Sequence, residues 1–137
     1  MRYLGLDLGT KTLGVAISDK TNNIASPLTT LRFKDEDYNS LVEPLKDIIL
    51  TNNITVIVLG LPKNMDSSMG FAAQRSLAFK ELIEKNIDIE VVLEDERLTS
   101  VMAHNILSTN GKKEIHHKKV VDEIAATLIL EDYLKRL

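Results

Sequence analysis

Residues 1–19 read MRYLGLDLGTKTLGVAISD, two apolar runs joined by a Gly-Thr-Lys turn. Residues 2–8 and 12–18 predict two strands bounded by turn formers. Alternation along the first strand puts Leu4, Leu6 and Leu8 on one face and Tyr3, Gly5 and Asp7 on the other. A carboxylate inside a strand is costly to bury unless something pairs with it, so Asp7 needs either a partner or a task. Gly5 and Gly9, two residues to either side on the same face, remove bulk around it. Such clearance suits the close approach of a backbone or a phosphate. The simpler alternative is an aspartate that caps the turn at Gly9 through a local hydrogen bond.

Working outward, residues 24–32 predict a third strand that makes an antiparallel meander with the first two. A helix is expected over residues 40–51, with Leu41, Leu45, Ile48 and Ile49 inward and Pro44 close to its first turn, where proline is tolerated. ITVIVLG, residues 54–60, is an unbroken apolar run, as expected of a strand covered on both faces. The loop LPKNMDSSMG then leads into a helix to about Asn86, with Phe71, Ala78 and Leu82 inward. IDIEVVLE, residues 87–94, predicts the fifth strand. Thr99 or Ser100 caps a short helix that stops at Asn110-Gly111, and a last helix runs from about Lys119 to Leu134. The order βββαβαβαα predicts a five-stranded mixed sheet with helices on both faces, a single α/β domain over residues 1–137.

Composition narrows the chemistry. There are no cysteines, so thiolate metal sites are excluded, and oxygen ligands favour hard ions such as magnesium or manganese. No window offers the roughly 18 apolar residues of a membrane helix, and the opening run lacks a signal-peptide core, so a cytoplasmic protein is expected. The net charge of −3 argues against a generally basic nucleic-acid binder. Residues 112–119, KKEIHHKK, form a local basic run. It is expected to be a loop that meets a phosphate backbone through Lys112, Lys113, Lys118 and Lys119. His116 and His117 would add charge below about pH 6.5. A solvated charged loop is the plainer alternative.

Two further acids stand out. Asp95 and Glu96 fall where the fifth strand ends, the edge at which ligand sites of α/β sheets form. Alternation sends them to opposite sides, so one of them is expected to reach the site. In the last helix Asp122 shares a stripe with Ala126, Ile129 and Tyr133, a charge on a mainly apolar face. Its bland explanation is a favourable place in the helix dipole, which Glu123 could serve from a more exposed position. Carboxylates from separate elements can bracket two divalent ions, the arrangement that hydrolyses phosphodiesters. Asp7 would then bridge the ions, with Glu96 and Asp122 flanking and Lys11 holding the scissile phosphate.

GLDLGTKTLGVAISD, GLPKNMDSSMG, EDERLTS and VVDEIAATLIL resemble, in order and spacing, the four signature segments of the YqgF family. Its members are Holliday-junction-resolvase-like proteins regarded as candidate nucleases that mature the 5′ end of pre-16S ribosomal RNA. The resemblance implies an RNase H-like fold related to the RuvC resolvases and a magnesium or manganese requirement. It carries the acidic site onto Asp7, the Asp95-Glu96 pair (Glu96 favoured, Asp95 in reserve) and Asp122, and makes Arg97 a phosphate contact. The substrate class it implies is nucleic acid, either structured RNA or branched DNA, handled by a monomer or a homodimer. The chain departs from the family pattern at Ser67, where glycine is common, and at Thr12, where a basic residue is common.

Two rivals remain. Asp7-Leu8-Gly9-Thr10 also fits the phosphate loop of the sugar kinase, actin and Hsp70 superfamily. Those proteins need two such domains, and nothing after residue 19 repeats the motif. The other rival is a non-catalytic RNA-binding module, a ribosome-assembly or transcription factor on the same fold. Loss of an acid would have favoured it, and none is lost.

Overall fold

The computed structural model describes residues 2–34, 36–62, 70–95 and 114–137, with side chains in the last segment from Asp122 onward. The three leading strands are β1 (Arg2–Leu8), β2 (Thr12–Ser18) and β3 (Ala25–Arg32). A 3₁₀ turn at Tyr38–Leu41 leads into α1 (Val42–Asn52), which places Pro44 in the first turn as expected. Then come β4 (Ile54–Leu61), α2 (Phe71–Asn86), β5 (Glu90–Asp95) and α3 (Glu114–Leu134). The short helix expected between Thr99 and Asn110 lies outside the described residues.

The strands form one sheet ordered β3-β2-β1-β4-β5. β1 pairs antiparallel with β2, and β2 with β3, while β1–β4 and β4–β5 are parallel. The mixed sheet follows from the connections: tight turns close the meander, whereas α1 and α2 return the chain for parallel pairing. The ends of β1, β4 and β5 therefore share one edge.

Alternation divides the core in two. Leu4, Leu6, Leu8, Leu13, Val15, Ile57 and Leu59 point to the face covered by α1 and α2, through Leu41, Leu45, Phe79 and Ile83. Ala16 and Val58 point the other way, against Ala126, Ile129, Leu130 and Leu134 of α3. β4 supplies both faces, which is why its run is unbroken.

α3 lies directly on the backbone of β1 and β2. A Cβ on Gly5 would sit 2.8 Å from both the Ala126 carbonyl oxygen and Leu130 Cβ, and one on Gly14 only 2.1 Å from the Asp122 carbonyl oxygen. The clearance beside Asp7 at Gly5 is thus filled by a helix.

Three sequence-based expectations need correction. The inward stripe of α2 is Ala73, Ser76, Phe79 and Ile83, with Leu82 packed alongside. Phe71 is 88% exposed and Ala78 is also exposed. The expected stripe was rotated by roughly a third of a turn, because bulky Phe79 orients the helix and Phe71 occupies its surface end. β5 begins at Glu90 rather than residue 87, since the Ile87 N–H still donates to Ile83 O of α2, at 2.8 Å. Finally, α3 begins at Glu114 rather than near Lys119, so the Glu114–Lys119 part of the basic run is helix, not loop. No Gly or Pro interrupts the chain after Gly111, and Glu, Lys and Ile are compatible with a helix.

Candidate active site

Asp7 sits one residue from the end of β1, half-buried, on the α3 face. Its antiparallel partner is Gly14 in β2, whose missing side chain gives room to the Asp122 backbone. Register and helix docking therefore bring Asp7 and Asp122 to the same face at the same level of the sheet. Glycine is required at position 14 because a carbonyl oxygen occupies the space of its Cβ.

Asp122 is half-buried, and its Oδ2 accepts a hydrogen bond from Thr12 Oγ1 at 2.6 Å. It lies about two turns into α3, counting from Glu114. Helix-dipole stabilisation fades within the first turn, so that bland explanation for Asp122 falls away. The next acid, Glu123, accepts from Thr30 Oγ1 of β3 at 3.0 Å. Both acids thus take a hydroxyl from a strand beneath the helix.

At the other side of the sheet, Asp95 ends β5 and alternates with Glu94. Glu94 pairs in register with Gly60 of β4, and Gly60 follows Leu59, the partner of Leu6. Gly14, Asp7, Gly60 and Glu94 therefore form one row across the α3 face. Asp95 is exposed and belongs to the opposite face with Leu93. Glu96 and Arg97 lie outside the described residues, as do Lys112 and Lys113, while Lys118 and Lys119 are described only as helical backbone.

Glu94 is the acid that sequence reasoning passed over. Only 4% exposed, it binds the Arg136 guanidinium through both oxygens, one of them accepting from Nη1 at 2.7 Å. That hydrogen bond, reinforced by the charges of Glu94 and Asp132, holds Arg136 firmly protonated. Its charge answered within the chain, Glu94 is a structural acid beside the site. The signal was present in IDIEVVLE, where Glu94 shares its face with Val92.

Lys11 is exposed in the turn after Asp7, and its carbonyl accepts from Phe33 N at 3.0 Å. Arg32, opposite Thr12 in the β2–β3 register and also exposed, is a second cation on this rim. Sequence reasoning missed it because only the register places it there.

The donors fit a hard cation: two carboxylates converge on one face and the chain has no thiolate. Among the described residues no third ligand joins them into a cluster of three.

A mixed sheet in this order, with a helix laid across its central strands, defines an RNase H-like class of fold. Solved structures with this fold include a fowlpox virus Holliday junction resolvase (TM-score 0.58, 18% identity, all of both chains). Another is Thermus thermophilus RuvC in complex with a Holliday junction (TM-score 0.55, 11% identity, 99% of this chain and 94% of that one). A ROK hexokinase from Thermus thermophilus is matched over 78% of this chain but 38% of its own (TM-score 0.50, 19% identity), so the likeness spans well under half of that kinase. The family described as RuvX, Holliday junction resolvase, matches residues 1–136. A Staphylococcus haemolyticus protein described as a candidate pre-16S rRNA nuclease is 44% identical over 134 residues, 97% of this chain and 94% of its own. A Clostridium acetobutylicum protein of the same description is 40% identical over the full length of both. The chain belongs to the RuvX family, the YqgF family of the motif resemblance, and is a nuclease of that family.

Proposed function

We propose that this chain is a divalent-metal-dependent nuclease whose ligands are Asp7, Glu96 and Asp122, acting in the cytoplasm on the 5′ end of pre-16S ribosomal RNA. The convergence of Asp7 and Asp122 on one face of the sheet carries this proposal. Two magnesium or manganese ions bound there would activate a water and neutralise charge on the attacking and leaving oxygens. The chain's own task would be to hold its carboxylates where such ions can bind, and the β1–β2 register and the seat of α3 on Gly14 support this reading. Asp95 points to the opposite face, which supports Glu96 as the third ligand. Lys11 and Arg32 would meet the substrate backbone on one rim, with Arg97, Lys112, Lys113, Lys118 and Lys119 adding positive charge. The names of the relatives at 44% and 40% identity support RNA as substrate. Branched DNA is the alternative that the family description supports.

The test offers a pre-16S leader fragment and a four-way DNA junction side by side, with manganese. Cleavage of the leader in preference to the junction is expected. Preference for the junction would move the substrate to branched DNA. Tight RNA binding with no cleavage of either would identify a non-catalytic assembly factor.

A further inference from the structure

We propose that Thr12 is a positioning residue for Asp122, setting the direction of its carboxylate and thereby the affinity of the site for divalent cations. This rests on the metal-site reading above and adds a residue to it. The Asp122 backbone is fixed by contact with Gly14, but that contact leaves the side chain two rotatable bonds. Thr12 Oγ1 removes this freedom by donating to Oδ2 at 2.6 Å, within the range of a charge-assisted O–H···O⁻ bond.

The donor is itself held. Threonine is stiff at χ1, and Thr12 pairs with Arg32 of β3 while its carbonyl accepts from Gly9 N at 2.8 Å. Thr12 thus ties the turn that follows Asp7 to the helix that carries Asp122. A hydroxyl has one proton to give, so this bond engages one oxygen of the carboxylate.

The plain alternative is that Thr12 only stitches helix to sheet, and the chain contains its own control. Thr30 Oγ1 makes the corresponding bond to Glu123, 3.0 Å, one residue along the helix and one strand over. Both threonines fasten α3: Thr12 bonds the candidate ligand Asp122, and Thr30 bonds its neighbour Glu123.

The experiment titrates manganese into the full-length protein by calorimetry, with thermal unfolding measured without metal. Thr12→Val is expected to weaken manganese binding by about 10–100-fold, as loss of a ligand-orienting partner does. Thr12→Ser should restore it, and Thr30→Val should lower Tm yet leave manganese affinity unchanged. Thr12→Ala gives the same comparison if the valine variant does not fold. Wild-type affinity in the Thr12→Val or Thr12→Ala protein overturns the proposal, as does equal weakening by Thr30→Val. If Asp122→Asn leaves manganese binding intact, the metal site itself is wrong and the proposal falls with it.

Discussion

The Asp122 backbone rests on Gly14, a position with no room for a side chain. With Gly14 replaced by alanine, the new methyl would meet the helix carbonyl at 2.1 Å, and no flexible side chain is there to yield. Gly14→Ala is therefore expected to cost at least the 1–3 kcal/mol or so of ordinary overpacking and to weaken manganese binding as α3 shifts. Urea denaturation and metal titration check the two effects separately. Asp7 and its neighbouring glycines were legible because alternation sorts a strand into two faces, and Asp122 because a charge on an apolar stripe is conspicuous. Thr12 was not legible as a partner of Asp122: the two are 110 residues apart in the chain, and only the docking of α3 joins them. The same docking explains Gly5, whose clearance looked equally suited to a phosphate.

Among the elements, β5 and the end of the chain are joined by Glu94 and Arg136. Arg136→Ala would leave a buried carboxylate without its guanidinium, at an expected cost of about 1–3 kcal/mol. Adding Glu94→Gln should recover part of this in chemical denaturation; failure to recover any would mean the pair is not coupled. The β2–β3 turn offers a pH test. The hydroxyl of Thr21 holds the Asp19 carboxyl below its ordinary value of 3.8, helped by the N–H groups of Ile24 and Asn23. Because the folded-state pKa is the lower one, the stabilisation is present above the unfolded value and is lost as pH falls through the folded value. An Asp19→Ala variant should therefore show a shallower acid decline of Tm below about pH 4 than the parent. Strands and the meander were legible from periodicity. The early start of α3 was not, because a run of charged residues without Gly or Pro suits helix and loop alike. The buried stripe of α2 was missed because Phe71 looked like an anchor and lies at the surface.

For the molecule as a whole, a net charge of −3 means that a nucleic-acid substrate must be met locally. Charge reversal at Lys112, Lys113, Lys118 and Lys119 is expected to weaken RNA binding and flatten its dependence on salt. Binding that is unchanged at every salt concentration would remove the basic segment from the interface. The hexokinase likeness covers only 38% of that kinase, so calorimetric titration with ATP should show no tight binding; a tight complex would restore the kinase-like alternative. In the proposed site Asp7 and Asp122 come together to hold catalytic metal. Manganese-dependent cleavage by wild-type, Asp7→Asn and Asp122→Asn proteins of matched circular dichroism tests it most directly. Both variants should lose cleavage while remaining folded, and undiminished cutting by the folded Asp7→Asn protein would contradict the account.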